Sequence, residues 1–151
     1  MKVQDAVNID DLRRLAKRRL PRIAFDFIEG GVEDEHCLLA NESSFAGHRL
    51  VPRYMVDTSR RDQSVELFGH SYASPFGIAP TGMAALFRAD ADLILARAAA
   101  AANIPFIMSG ASTASIEAVA QIAPAHTWYQ LHAARDRKIS EDIGRFGLSA
   151  P

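Results

Sequence analysis

The sequence has little of what marks a secreted, membrane-spanning or nucleic-acid-binding protein. Its single cysteine, Cys37, excludes an internal disulfide and fits a reducing compartment. Basic and acidic residues nearly balance, at 17 and 18, so the charge gives no reason to expect a nucleic-acid partner. The most apolar stretch, 93–108, is interrupted by arginine, asparagine and proline, which argues against a membrane span. No apolar core of signal-peptide length follows Met1. We therefore expect a cytoplasmic location, with peripheral attachment to the inner face of the membrane as the alternative.

Metal-ligand spacing is also missing. Four of the five histidines lie in loop-like contexts without the spacing of a ligand set (His36, His48, His70 and His126). We predict no metal site. A basic group at positions 13–19 reads as the solvated face of a helix, with a membrane-surface or nucleic-acid patch as the alternative.

Residues 1–74 predict a helical N-terminal extension with a small hairpin. Asn8 is a helix cap, and apolar residues keep helical spacing from Ile9 as far as Leu20. A second helix is predicted over 23–29, where Gly30 and Gly31 give a stop signal. Two short β-type runs separated by Gly69 and His70 predict the hairpin.

Residues 75–151 alternate between strand and helix patterns. The predicted strands are 76–79, 105–109 and 127–132, and helices are predicted over 90–102, over 115–121 and from 139. This α/β rhythm indicates a parallel sheet with right-handed crossovers. A complete eight-stranded barrel needs about 250 residues. We therefore predict a partial (β/α)8 TIM barrel, made of its first three βα units.

The turn after the first predicted strand is the clearest candidate for a ligand site. Pro80, Thr81 and Gly82 follow a short apolar run, and Gly82 has no Cβ to keep a ligand away from the backbone. In α/β folds, sites are built where strands end in such loops. Plain turn chemistry is the alternative for these residues.

Five blocks, in this order, carry a resemblance to a known family. They are 20–35 (LPRIAFDFIEGGVEDE), 56–61 (VDTSRR), 79–82 (APTG), 108–112 (MSGAS) and 128–132 (WYQLH). The chain resembles the FMN-dependent α-hydroxy acid oxidising enzymes, which include glycolate oxidase, L-lactate dehydrogenase and (S)-mandelate dehydrogenase. That resemblance implies FMN at the carboxyl ends of the barrel strands.

The resemblance also implies roles for single residues. Pro80, Thr81 and Gly82 would lie under the isoalloxazine ring, while Ser109 and Gln130 would hydrogen-bond its polar edge. A reduced flavin gains negative charge near N1 and the C2 carbonyl, so fixed polar partners suit that edge. Ser109 as a residue that closes a turn, and Gln130 as one that satisfies backbone groups, remain the alternatives.

Two positions depart from the family at the expected substrate site. Phe27 stands where a tyrosine is expected to bind the substrate carboxylate, and a phenyl ring cannot donate a hydrogen bond. His132 replaces a second tyrosine and can still donate one. The alternative for His132 is an ordinary side chain at a strand end.

The implied reaction is oxidation of an L-2-hydroxy acid, of the lactate, mandelate or glycolate type, to the 2-oxo acid. A quinone, a cytochrome or oxygen would then reoxidise the flavin, and the full-length protein would form a homo-oligomer. The family's catalytic base, its lysine and arginines, and its phosphate site are expected beyond Pro151. We therefore expect a truncated chain that is inactive alone. A non-catalytic fragment, either a pseudogene product or half of a split barrel, is the alternative.

Overall fold

The chain divides into two units, 1–59 and 60–151, in a computed structural model that describes residues 2–149 and their side chains as far as residue 145. The outer ends of the predicted regions 1–74 and 75–151 lie outside the described residues. In the structure the hairpin belongs to the second unit. The division of the sequence pattern at 74/75 stays a prediction.

The first unit consists of three helices and two short 3-10 turns. Its helices are α1 (Ile9–Arg19), α2 (Arg22–Glu29) and α3 (His36–Ser44), and the turns span Val3–Asp5 and Phe45–Gly47. The predicted cap of α1 is confirmed, because the Asn8 side chain accepts a hydrogen bond from the Asp11 backbone N–H at 2.8 Å. Helix α2 ends at Gly30, as the stop signal predicts.

Contacts between α1 and α2 hold the first unit together. Leu15 and Phe25 are the buried apolar side chains of these two helices. Arg13 of α1 pairs with Glu29 of α2, and this ion pair raises the pKa of the arginine. The Lys17 ammonium lies 5.8 Å from the centre of the Phe25 ring, a cation–π distance.

The second unit begins with the predicted hairpin, whose turn lies one residue earlier than expected. Strands β1 (Val65–Leu67) and β2 (His70–Tyr72) pair antiparallel, with Leu67 opposite His70. Phe68 and Gly69 therefore form the turn, with φ of 48° and 80°. A two-residue turn of this class needs positive φ at both positions, which places the glycine second.

Parallel strands and their crossover helices follow. In chain order they are α4 (Ala91–Ala102), β3 (Phe106–Met108), α5 (Ile116–Ile122), β4 (Thr127–Tyr129) and α6 (Arg137–Ser149), with a 3-10 turn at Ala84–Leu86 before α4. Phe106 pairs with Thr127 and Met108 with Tyr129. The expected αβ alternation of a partial (β/α)8 barrel is confirmed, and no barrel closes within residues 2–149.

The first predicted barrel strand is shorter than expected. Within 76–79 only Ile78 forms a β-bridge, parallel to Phe106. Its N–H donates to the Pro105 carbonyl at 2.9 Å, and its carbonyl accepts from the Ile107 N–H at 2.9 Å. Prolines at 75 and 80 bracket this segment and lack the N–H groups that a longer ladder requires.

Small side chains of α4 and α5 let these helices pack closely on the strands. The buried cluster consists of Ala96, Ala99, Phe106, Met108, Val119 and Ala123. Ser115 caps α5 by accepting a hydrogen bond from the Ala118 N–H at 3.2 Å. Within residues 2–149 no helix is both long and apolar enough to cross a membrane.

The hairpin is attached to β4 and to the segment that precedes β3. Tyr72 is buried, and its hydroxyl accepts a hydrogen bond from Trp128 Nε1 at 3.0 Å. Asn103, which ends α4 in a left-handed conformation, accepts a backbone hydrogen bond from the Ala73 N–H at 2.8 Å. The Asn103 side chain also lies 3.0 Å from His126 Nε2.

Candidate functional site

Loops from the carboxyl ends of two neighbouring strand segments meet at the candidate site. The Met83 N–H donates to the Ala111 carbonyl at 3.1 Å, which joins the loop after Ile78 to the loop after β3. A Cβ built on Gly82 would lie 3.5 Å from Ala111 Cβ and 3.7 Å from Ser109 Oγ. The structure therefore brings Gly82 and Ser109 together, although 27 positions separate them in the sequence.

Ser109 and Gln130 belong to one chain of hydrogen bonds. The Ala111 N–H donates to Ser109 Oγ at 3.1 Å, and Ser109 Oγ donates to Gln130 Oε1 at 3.3 Å. Ser109 is only 4% exposed, so its hydroxyl is committed to these partners. The amide of Gln130 is thereby oriented with its oxygen toward Ser109. Its Nε2 keeps two N–H donors with no partner among the described residues.

The loop that contains Pro80, Thr81 and Gly82 lies at the surface. Pro80 is half-buried, while Thr81 and Gly82 are exposed. The Thr81 hydroxyl lies 3.5 Å from the Ala79 carbonyl, at the limit of a hydrogen bond. Met83 follows in the left-handed conformation, with φ of 51°, and turns the chain into the next 3-10 helix. An exposed small-residue loop beside a fixed amide can receive a flat polar ligand.

His132 lies on the same edge, against the loop after β3. A Cβ built on Gly110 would lie 2.4 Å from His132 Cδ2 and 2.7 Å from the Gln130 carbonyl oxygen. The imidazole is exposed to solvent. Four of the residues that the sequence singles out therefore lie along one edge: Gly82, Ser109, Gln130 and His132.

Phe27 is in the first unit, on α2, with 62% of its surface exposed. Its place at a substrate site stays a prediction. The roles of the other six candidate residues also stay predictions: Pro80, Thr81, Gly82, Ser109, Gln130 and His132. Within residues 2–149 no group of three or more His, Cys, Asp or Glu side chains could hold a metal ion.

The backbone hydrogen bond between Met83 and Ala111 connects the site but was not predicted from the sequence. Their backbone groups, rather than their side chains, join the two loops, and backbone roles leave little compositional signal. The nearest indication was their position within, or directly after, two of the family-like blocks, 108–112 and 79–82.

Known proteins are similar to this chain in both sequence and fold. The chain is 40% identical over 129 residues to (S)-mandelate dehydrogenase of Pseudomonas putida, covering 85% of this chain and 33% of that protein. It is 39% identical over 139 residues to a peroxisomal (S)-2-hydroxy-acid oxidase of Oryza sativa subsp. indica, covering 92% and 38%. A crystal structure of a mutant of an active (S)-mandelate dehydrogenase chimera superposes with a TM-score of 0.86 at 38% identity. That superposition covers 95% of this chain and 40% of the chimera.

These matches cover most of this chain but less than half of each relative. The chain spans about a third to two fifths of the length of the curated relatives it matches. Over residues 16–145, most of its own length, it matches the family described as FMN-dependent dehydrogenase. The chain belongs to the FMN-dependent dehydrogenase family, whose cofactor is FMN.

Proposed function

We propose that the whole protein oxidises an L-2-hydroxy acid, of the mandelate, lactate or glycolate type, to the corresponding 2-oxo acid with FMN. Family membership supports the chemistry, and the relatives' names, a mandelate dehydrogenase and a 2-hydroxy-acid oxidase, support the substrate class. The observation that carries the proposal is the hydrogen-bond chain from Ala111 through Ser109 to Gln130. Because these bonds orient the Gln130 side chain, its two Nε2–H groups are available as donors at the carboxyl ends of the strands.

The described residues fit a flavin. The pyrimidine edge of the ring presents carbonyl oxygens, which need N–H donors, and Gln130 Nε2 supplies two of them. Gly82 carries no side chain, and Ala111 carries only a methyl group, so both allow a planar ring to approach the backbone. Pro80, Thr81 and Gly82 would support one face of the ring.

Each residue contributes a binding or orienting role. Bound FMN would supply the two-electron acceptor. Gln130 would donate to the ring's carbonyl edge, where negative charge develops on reduction. Ser109 orients the Gln130 side chain, because its hydroxyl donates to Gln130 Oε1 and accepts from the Ala111 N–H. Preoriented donors of this kind cost no reorganisation when charge develops.

Substrate binding, the electron acceptor and assembly complete the proposal. His132 would bind the substrate carboxylate through a ring N–H. For Phe27, on α2 of the first unit, we propose a substrate-binding role through its apolar ring. The acceptor would be a quinone, a cytochrome or oxygen, and the whole protein would form a homo-oligomer. We propose a cytoplasmic location, with peripheral membrane attachment as the alternative; one relative of known structure is a soluble mutant of a membrane-associated mandelate dehydrogenase.

Titration with FMN of a complete barrel that contains this sequence, followed by flavin fluorescence, tests the cofactor site. Gln130→Leu should weaken FMN binding about tenfold, since it removes hydrogen bonds to the carbonyl edge of the flavin ring. Gln121→Leu is the matched control, because Gln121 is exposed on α5, away from the strand ends. Binding that Gln130→Leu leaves unchanged would contradict the proposed site. Absence of saturable binding is the result that the non-catalytic alternative predicts.

Turnover tests the reaction in a complete barrel that contains this sequence. (S)-Mandelate, L-lactate and glycolate are the substrates, with a reducible dye as electron acceptor. We expect oxidation of at least one of the three, accompanied by bleaching of the flavin absorbance under anaerobic conditions. Bound flavin that none of these acids reduces would refute the substrate class while leaving the FMN site intact.

A further inference from the structure

Gly110 lies directly beneath the imidazole of His132. A Cβ at position 110 would come within 2.4 Å of His132 Cδ2 and 3.3 Å of His132 Nε2. The first distance is far inside carbon–carbon contact, so the ring occupies the volume that a side chain at 110 would need. The two residues follow neighbouring parallel strands, β3 and β4, which explains how positions 22 apart in the sequence come into contact.

Space, rather than backbone conformation, makes glycine necessary at this position. Gly69 is the glycine with positive φ among residues 2–149, so Gly110 has a φ that other residues also adopt. Its Cβ would nevertheless meet the Gln130 carbonyl oxygen at 2.7 Å, and that oxygen belongs to the strand-end backbone and cannot swing away. Any side chain at 110 would therefore displace His132, the end of β4, or both.

The position of His132 matters because its neighbours are the polar groups of the candidate flavin site. Gly110 directly follows Ser109, whose hydroxyl donates to Gln130 at 3.3 Å. Gln130 precedes His132 by two residues on the same strand end. Since His132 is exposed, its imidazole is accessible to a solute that lies on this edge.

We propose that Gly110 is a positioning residue. Because it has no side chain, it leaves the space in which the His132 imidazole lies, and there a ring N–H binds the carboxylate of a 2-hydroxy or 2-oxo acid. The proposal rests on the proposed function for the identity of the ligand, but its structural half stands alone. In this proposal the hydrogen bond to the substrate carboxylate is donated by His132 and not by Phe27, because a phenyl ring has no N–H or O–H group.

Nuclear Overhauser spectroscopy of the chain tests the structural half. A Cβ position 2.4 Å from Cδ2 places a Gly110 Hα against the Hδ2 proton of His132. We expect a strong cross-peak between these protons, with the His132 resonance assigned by its loss in His132→Gln. A missing cross-peak, or a His132 resonance at the position of an unstructured peptide, overturns the proposal.

Oxalate, a dicarboxylate similar in size to small 2-oxo acids, tests the binding half. In the presence of FMN, the His132 resonances should shift saturably with oxalate. Gly110→Ala and His132→Leu should each raise the oxalate dissociation constant about tenfold, as expected for a lost charge-assisted hydrogen bond. Gly47→Ala is the steric control, since a Cβ there meets nothing within 4 Å. If His132→Leu, which has no N–H to donate, leaves the oxalate affinity unchanged, His132 is not the carboxylate donor.

Failures of the two proposals are distinguishable. A cross-peak without FMN binding refutes the flavin site and leaves the positioning role of Gly110 in place. FMN binding that depends on Gln130, without the cross-peak or with oxalate affinity insensitive to Gly110→Ala, refutes this inference alone. His132→Leu adds no bulk and has no N–H donor, so it tests the donor even if Gly110→Ala fails to fold.

Discussion

Removing one hydroxyl, in Tyr72→Phe, should measurably weaken the second unit. Tyr72 is 1% exposed, and its hydroxyl accepts from Trp128 Nε1 at 3.0 Å. The phenyl ring would keep the edge-on contact with His126, whose ring centre lies 6.1 Å away. The perturbation is therefore confined to one hydrogen bond between the hairpin and β4.

The expected loss is about 1 kcal/mol of unfolding free energy. An indole N–H left fully buried without a partner costs about 1–3 kcal/mol. Trp128 is only half-buried, so water can reach part of the indole and lowers the loss toward the smaller figure. With a urea dependence of about 1–3 kcal/mol per molar, the midpoint should fall by about 0.3–1 M.

Urea denaturation followed by tryptophan fluorescence is the natural assay, because the chain contains one tryptophan. The reporter is thus the donor of the bond that is removed. Tyr54→Phe is the control, since Tyr54 is 83% exposed and should change the midpoint by less than about 0.3 M. Equal midpoints for Tyr72→Phe and the unsubstituted chain would refute the reasoning. A changed urea dependence would instead indicate an altered denatured state.

Three further predictions concern a helix cap, a carboxylate and a strand contact. Asn8→Ala should cost about 1 kcal/mol of stability, measured by urea denaturation followed by circular dichroism, because the cap of α1 is lost. The pKa of Asp57 lies below its usual range because the Ser59 N–H donates to it at 2.9 Å, which NMR titration can verify. The stability that this hydrogen bond contributes is fully present when the pH is above the ordinary pKa of an aspartate. It is lost as the pH falls through the lowered pKa of Asp57. Gly77→Ala should destabilise by about 1–3 kcal/mol, since its Cβ would lie 2.9 Å from Pro105 Cγ.

Local signals were enough for much of this fold. The Asn8 cap and the Gly30 stop each depend on a few neighbouring residues, and the structure has both. The alternation of strands and helices after residue 75 was equally visible, because buried parallel strands form continuous apolar runs. By contrast, α3 begins at His36, and the preceding Glu35 makes no side-chain capping hydrogen bond, which left nothing for sequence reasoning to detect.

Contacts between distant residues limited prediction elsewhere. The turn at Phe68 and Gly69 depends on the register Leu67 opposite His70, which composition does not reveal. The single bridge at Ile78 reflects the flanking prolines together with the close approach of Gly77 to Pro105. Family resemblance named the candidate residues of the site. Only the fold shows that Gly82 lies beside Ser109 and that Gly110 lies beneath His132.

The contacts that attach the hairpin to the second unit involve residues other than those of the candidate ligand loops. Trp128 of β4 and Asn103, which precedes β3, hold the hairpin against strands that span three residues, or about 10 Å. The loops that carry Ser109 and Gln130 begin at the carboxyl ends of these strands. Libraries that randomise those loops can therefore explore new specificities while the hairpin anchors the fold. A fluorophore or surface tether placed at the exposed Phe68 turn would leave the ligand-facing edge accessible.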